Sequence, residues 1–318
     1  MYWTAAIRAN DWGCCDMNIL ILGATGQVGF ELLRTLSPLG ALIAPTRAQL
    51  DLSSPDAVAG VLRTIRPALI VNAAAWTGVD AAETQQEAAF RLNAELPEQL
   101  AHFANVAGIP LIHYSSDYVY PGDGESPWQE DSATGPLSVY GASKLAGDQA
   151  VMASGAGYLI FRTSWVYGAR GNNFMRTMLR LGQERDHLNV VHDQIGAPTP
   201  ARLIAQVTAL AVYRQQLGQG IEGLYHLAPH GETSWHGFAC EIFRRAQTLG
   251  MVLTLTPEQV TAIPGKHYPT PAKRPNNSRL CVNKLEADLG IQLPHWEPQL
   301  QLTLMECLSA ERLSTTPD

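Results

Sequence analysis

The stretch that most constrains this chain is a short apolar run, Asn18–Leu22 (NILIL). It feeds directly into Gly23-Ala24-Thr25-Gly26-Gln27-Val28-Gly29 and then into the helical pattern Phe30–Leu36. An apolar run without alternation suits a parallel strand buried on both faces. Strand, G-x-x-G-x-x-G turn and helix in that order form the dinucleotide-binding arrangement. Gly23 and Gly26 permit the tight turn and the close approach of backbone to a pyrophosphate at the helix N-terminus, and Gly29 lets helix and strand pack closely. Gln27 and Val28, within the turn, belong to the same candidate cofactor site. The competing reading is a plain glycine turn.

The next elements continue a strand–helix alternation. A second strand, Ala41–Ala44, ends in Pro45-Thr46-Arg47. A site dedicated to NAD usually carries Asp or Glu there to bond the ribose hydroxyls. None is present, and Arg47 is positioned either to meet a 2′-phosphate, which favours NADPH with NADH also accepted, or simply to face solvent. Asp51 and Leu52 follow and are placed with the cofactor, before a helix at Pro55–Ile65 and a strand at Ala68–Asn72. The small residues Ala73–Ala75 leave room for a flat group over the sheet edge, so Ala75, Trp76 and Thr77 join the cofactor set. Glu83–Asn93 and Leu96–Ala107 are expected to be helices. The strand Pro110–Ser115 delivers Ser116 and Asp117 to its carboxyl end, where open α/β sheets bind ligands, with Tyr114 lining the cofactor side.

Beyond the Gly/Pro-rich loop 121–136, Val139–Ala153 is expected to be a helix carrying Tyr140 and Lys144 four residues apart. One turn of helix puts both side chains on one face. An ammonium beside a phenol favours the phenolate and lowers a pKa of about 10. A tyrosine tuned in this way exchanges a proton with a carbonyl or alcohol oxygen, and the Ser116 hydroxyl would hold that oxygen. The strand Tyr158–Arg162 follows, and then the alternation breaks down. The expected elements are a helix from Gly171 to Gln183, a helix at Ala201–Gln216, a strand at Leu224–Leu227 and a helix at Ser234–Leu249, with Asn189–Val191 leading into the stretch 193–199. A strand at Val252–Leu255 and helices at Glu258–Ile263, Lys284–Leu289 and Leu300–Ser314 complete the pattern, with 314–318 frayed.

The fold class is therefore α/β: a Rossmann-type doubly wound parallel sheet with a smaller, partly interleaved C-terminal substrate lobe. Residues 17–167 form the dinucleotide-binding domain. Residues 168–318 form mainly the substrate lobe, with some segments returning to the first domain. Residues 1–16 fit neither and are expected to lie outside the fold. A length of 318 residues is ample for this organisation. A net charge of −7 argues against nucleic-acid or anionic-membrane partners, and no apolar run is long enough to span a bilayer. The five cysteines form no C-x-x-C pair, which suits a reduced, cytoplasmic chain. His226 and His230 are four apart, but Pro229 and Gly231 argue against a metal-binding helix face.

Taken together, the motifs resemble the dTDP-4-dehydrorhamnose reductase family of the extended short-chain dehydrogenase/reductases. The resemblance runs through Gly23–Gly29, 71–79 (VNAAAWTGV), 113–120 (HYSSDYVY), 139–147 (VYGASKLAG), 161–168 (FRTSWVYG), 172–179 (NNFMRTML), 193–199 (DQIGAPT) and 274–280 (RPNNSRL). It implies reduction of the 4-keto group of a dTDP-linked 6-deoxyhexulose to dTDP-L-rhamnose, the last step in making that nucleotide sugar. Tyr140 would donate the proton, Lys144 would bind nicotinamide-ribose hydroxyls and lower the tyrosine pKa, and Ser116 would orient the ketone. Asp117 and Trp165 would contact the sugar, and Asn173 with the loop 193–199 would hold the nucleotide. The family usually has threonine where Ser116 stands. Some members form a Mg²⁺-bridged homodimer through glutamates; Glu31 matches one such position, but Arg202 occupies the second, which leaves the metal in doubt.

Two other classes remain open on the sequence. One is a nucleotide-sugar 4-epimerase or 4,6-dehydratase of the same fold. The dehydratase expects Asp-Glu after the hydroxyl residue, whereas Tyr118 follows Asp117 here. The other is a non-catalytic, reductase-like regulatory subunit, which would not require Ser116, Tyr140 and Lys144.

Overall fold

The computed structural model describes residues 17–315, so the expectation for residues 1–16 and for the end of the tail lies outside the described residues. Five strands and a late sixth build one parallel sheet: β1 (Asn18–Leu22), β2 (Ala41–Ile43), β3 (Leu69–Asn72), β4 (Leu111–Ser116), β5 (Tyr158–Thr163) and the strand Gly223–His226. Across the sheet the order is Gly223–His226, β5, β4, β3, β1, β2. The chain goes outward from β1 to β2 and then crosses back to β3 on the other side of β1. That reversal opens a crevice above the carboxyl ends of β1 and β3, where such sheets bind ligands.

Side-chain alternation explains the layering. Ile19 and Ile21 of β1 face one core with Val71, Ile112 and Phe161, closed by helix α1 (Gln27–Thr35) and the helix Ala201–Gln216. Leu20 and Leu22 face the opposite core with Ile70 and Leu111, closed by the helices Pro55–Ile65 and Leu96–Ala107. A further core, built on Met175, Met178, Phe238, Phe243 and Trp296, lies between the helices Phe174–Glu184, Trp235–Thr248 and Trp296–Thr315. A buried Arg162–Asp148 ion pair of 2.9 Å ties β5 to the helix Val139–Ala153. His226 is not a ligand: its Nε2 meets the Tyr120 hydroxyl at 2.6 Å inside the protein.

The structure departs from the expected elements in four places. Glu83–Asn93 is not one helix but two short ones, Val79–Ala82 and Gln86–Phe90, followed by a π-helical turn at Arg91–Glu95. Pro97 has no N–H to offer the Asn93 carbonyl, and such widened turns form where the helical ladder is interrupted. The expected strand at Val252–Leu255 is irregular, because the amides of Thr254 and Leu255 turn in to cap the Gly182 carbonyl at 2.9 and 3.0 Å. The expected helix Glu258–Ile263 is a 3₁₀ turn, Pro257–Gln259, and then a strand, Val260–Ile263, paired in parallel with Leu188–Val191. The β-branched Val260, Thr261 and Ile263 suit that extended pairing. The last helix begins earlier than expected, at Trp296, and runs to Thr315.

Candidate active site

One cleft of about 1470 Å³ runs from the glycine turn to the helix carrying Tyr140 and Lys144. At its floor, Gly23 adopts φ +80°, and a Cβ there would lie 2.6 Å from the backbone of Ala73 and Ala74. A Cβ on Gly29 would lie 2.2 Å from the Gly23 carbonyl. These two positions admit no side chain, and the turn therefore lies flat against β3. Helix α1 starts at Gly26 with no side-chain cap and no acidic residue in its first turn. Its free N–H groups face the cleft as an anion site. The chemistry of this cradle fits a dinucleotide pyrophosphate.

Most of the expected cofactor residues line the cleft: Gly23, Gly26, Gln27 and Val28 after β1, Arg47, Asp51 and Leu52 after β2, and Ala75, Trp76 and Thr77 after β3. Gly29 lies beneath as the packing glycine. Arg47 is exposed. Two hydrogen bonds from Ser53, to its Oδ1 at 2.6 and 2.9 Å, hold the Asp51 carboxyl below the usual range, with Arg47 and Arg91 adding to the effect. Tyr114 borders the cleft, but its hydroxyl is engaged with Thr208 at 2.8 Å.

Ser116, Asp117, Tyr140 and Lys144 meet at the carboxyl edge of the sheet. Ser138 caps the helix Val139–Ala153 by accepting from the Gly141 amide, which fixes the first turn that carries Tyr140. The Ser116 hydroxyl donates to Asp117 Oδ1 at 3.1 Å and accepts from the Tyr118 amide at 3.2 Å. Asp117 is 2% exposed, and its Oδ2 has no hydrogen-bond partner among the described residues. Burial pushes this carboxyl up to about 6, against the pull of the Ser278 and Ser116 hydroxyls.

The expected tuning of Tyr140 by Lys144 is not what the structure shows. Burial raises the phenol pKa well above its ordinary value; Ser116 pulls it down, and Asp117 pushes it up. Lys144 Nζ instead donates to the Tyr114 carbonyl at 2.6 Å and approaches His113 Nε2 at 3.5 Å. Burial lowers the lysine to about 8, and burial together with Lys144 keeps His113 neutral. Burial thus favours the protonated phenol at Tyr140.

Two other expectations change. Asn173 caps the helix Phe174–Glu184 through the Arg176 amide and donates to Gln27 Oε1 and the Gly168 carbonyl, both at 2.9 Å. Its amide is used up in the fold, and Asn172 beside it faces the cleft instead. Glu31, the possible metal ligand, is paired with Arg202 at 3.1 Å, and the same guanidinium reaches Glu306 at 2.8 Å. A cation already stands between these carboxylates, so the residues do not fit a Mg²⁺ site. Among the described residues no cluster of three His, Cys, Asp or Glu side chains is arranged to hold a metal.

Sequence reasoning missed Asn93, which is 1% exposed. Its side chain accepts from the Trp76 amide at 2.9 Å and donates to the Trp76 carbonyl and to Ser143 Oγ, both at 3.0 Å. It thereby locks the cofactor wall to the helix carrying Tyr140. The signal was present in Gly147: a Cβ there would lie 2.0 Å from the Asn93 carbonyl. Arg274, bonded to Asp80 at 2.7 Å, and Trp235 also border the cleft.

A glycine-cradled dinucleotide cleft with Ser116, Tyr140 and Lys144 at the sheet edge defines a Rossmann-fold oxidoreductase of the short-chain dehydrogenase/reductase type. Residues 17–309 match the family model for the RmlD substrate binding domain. The dTDP-4-dehydrorhamnose reductase of Escherichia coli K12 is 49% identical over 294 residues, 91% of this chain and 98% of that protein. That of Burkholderia thailandensis is 43% identical over 92% of this chain and all of its own length. The crystal structure of a Bacillus anthracis dTDP-4-dehydrorhamnose reductase in complex with NADP superposes with a TM-score of 0.82 at 34% identity, covering 92% of this chain and 99% of that one. The chain belongs to the dTDP-4-dehydrorhamnose reductase family.

Proposed function

We propose that this protein reduces the 4-keto group of dTDP-4-dehydro-6-deoxy-L-hexose to give dTDP-L-rhamnose, using NADPH in preference to NADH. One observation carries the reading: the cluster of buried Ser116 and Asp117 with half-buried Tyr140 opens into the same cleft as the glycine cradle. The NADP-bound relative supports the choice of dinucleotide. When bound, the reduced nicotinamide supplies a hydride to the ketone carbon.

The chain's own residues supply the rest. With the ketone bound, the Ser116 hydroxyl turns its single proton from Asp117 Oδ1 to the ketone oxygen and orients it. Tyr140 keeps its proton at neutral pH because burial makes the phenolate costly. An alkoxide is a far stronger base than a phenolate, so the proton passes from Tyr140 Oη to the oxygen as the hydride arrives at carbon. Lys144, fixed by the Tyr114 carbonyl, turns its remaining donors toward the ribose hydroxyls. Asp117 and Trp165 contact the sugar. Residues 17–167 mainly hold the dinucleotide, and 168–318 mainly hold the nucleotide sugar. Among the described residues no helix is long and apolar enough to cross a membrane; a cytoplasmic homodimer rests on the family resemblance, and light scattering of the purified protein tests the dimer.

The test is NADPH oxidation followed by absorbance in the presence of the dTDP-keto sugar, with the product identified by NMR. Formation of dTDP-L-rhamnose is expected. NADPH oxidation that gives no C4 alcohol would refute the assignment.

A further inference from the structure

Trp165 is the one described non-glycine residue besides Arg66 with a positive φ, +49°. Arg66 ends a helix, where the left-handed conformation is common, but Trp165 follows β5 and lines the cleft. Left-handed backbone at a bulky residue persists only where its surroundings over-determine it. Here they do so from two sides. The Trp165 carbonyl accepts from the Thr199 amide at 3.2 Å, and the preceding Ser164 hydroxyl donates to the Ala197 carbonyl at 3.1 Å. The indole itself lies flat on Trp235, with ring centroids 3.6 Å apart and planes within 12°.

Trp235 also lines the cleft but comes from the C-terminal half of the chain. It opens the helix Trp235–Thr248 directly after the strand Thr233–Ser234, which pairs antiparallel with Ile195–Gly196. Ile195–Gly196 also pairs with Asn277–Ser278, beside Asp117. Gly196 sits in the middle of this small sheet. A Cβ there would lie 2.9 Å from the Trp165 ring and 3.0 Å from the Ser278 side chain. Trp235 is backed in turn by Phe174, with ring centroids 4.6 Å apart. The Trp165 indole is therefore clamped between the small sheet and an aromatic stack rooted in the C-terminal core.

Resting on the proposed reduction, we infer that Trp235 is a substrate-positioning residue that works through Trp165. Its ring holds the Trp165 indole as a flat wall of the cleft, against which the C–H face of the deoxysugar packs while Ser116 and Tyr140 engage the ketone oxygen. Trp235 makes its further ring contacts with Phe174 and Phe238, and Lys144 bonds to Tyr114 and His113, so the effect falls on the nucleotide sugar and not on the dinucleotide.

The test combines steady-state kinetics with calorimetric binding of dTDP-L-rhamnose, for wild type, Trp235→Ala, Trp235→Phe, Trp165→Ala and the double alanine variant. Trp235→Ala is expected to raise the KM for the keto sugar and the Kd for dTDP-L-rhamnose about 10-fold, with little change in the KM for NADPH. Trp235→Phe, which keeps a ring against Phe174, should restore most of the loss and serves if the alanine variant does not fold. In the Trp165→Ala background, removing Trp235 should add nothing, because the two act as one unit. The inference is overturned if Trp235→Ala leaves the sugar terms unchanged, if it raises the NADPH and sugar terms equally, or if the two substitutions multiply. Wild type that neither turns over the keto sugar nor binds dTDP-L-rhamnose would instead refute the reductase reading, and this inference with it.

Discussion

The Lys144 ammonium donates to the backbone carbonyl of Tyr114 over 2.6 Å, binding the helix that carries Tyr140 to the central strand β4. The lysine is thus a fixed, buried cation whose charge depends on pH in the working range. Burial brings it from 10.5 to about 8. Its charged form prevails below that value, so kcat/KM should hold up to about pH 8 and fall above it as the ribose-binding cation is lost. A pH profile of the free enzyme checks this; a flat line to pH 10 would contradict it. Because the folded pKa lies below the unfolded one, the same group makes stability rise between about pH 8 and 10.5.

Asp117 carries the opposite sign. Its folded pKa of about 6 lies above the ordinary 3.8, so the native state binds more protons than the unfolded state in that window. Stability then falls as pH rises from about 4 to 6, and the buried carboxylate is a net cost at neutral pH. Asp117→Asn should stabilise the protein at pH 7.5 by on the order of 2 kcal/mol, with the gain vanishing near pH 4, while turnover drops at least 10-fold. Denaturant unfolding at the two pH values measures the first effect and steady-state kinetics the second.

Arg47 is exposed at the end of the cleft beside Asp51. If it meets the 2′-phosphate, Arg47→Ala raises the KM for NADPH about 10-fold and leaves that for NADH nearly unchanged, since only one of the two carries that charge. Equal effects on both would remove Arg47 from the cofactor site.

The Glu31–Arg202–Glu306 cluster predicts independence from divalent cations. A guanidinium bonded at 3.1 and 2.8 Å to two carboxylates already supplies the positive charge there. Activity and melting temperature should not change when EDTA replaces Mg²⁺ in the buffer, and a drop in either would contradict this account.

Much of the fold was legible because its signals are local. The apolar run of β1, the glycine turn and the spacing of Tyr140 and Lys144 each act within a few residues. What stayed hidden depends on partners far away in the chain. The raised pKa of Tyr140 comes from burial by residues that the Y-x-x-x-K spacing does not reveal. The π-helical turn at Asn93 follows from Pro97, but its purpose appears only where Asn93 meets Trp76 and Ser143. The resemblance gave Asn173 a place at the nucleotide, and nothing local in the sequence shows that Gln27, 146 residues earlier, accepts from its amide. The C-terminal lobe was hardest to assign, because short strands such as Ile195–Gly196 gain their meaning only from pairing across the fold.

The central claim is that the Tyr140 hydroxyl delivers the proton. Its most direct test is the rate of NADPH oxidation with the dTDP-keto sugar in wild type and Tyr140→Phe, both shown to be folded and to bind NADPH. A loss of kcat on the order of 10² or more is predicted. Equal rates in the two proteins would contradict it.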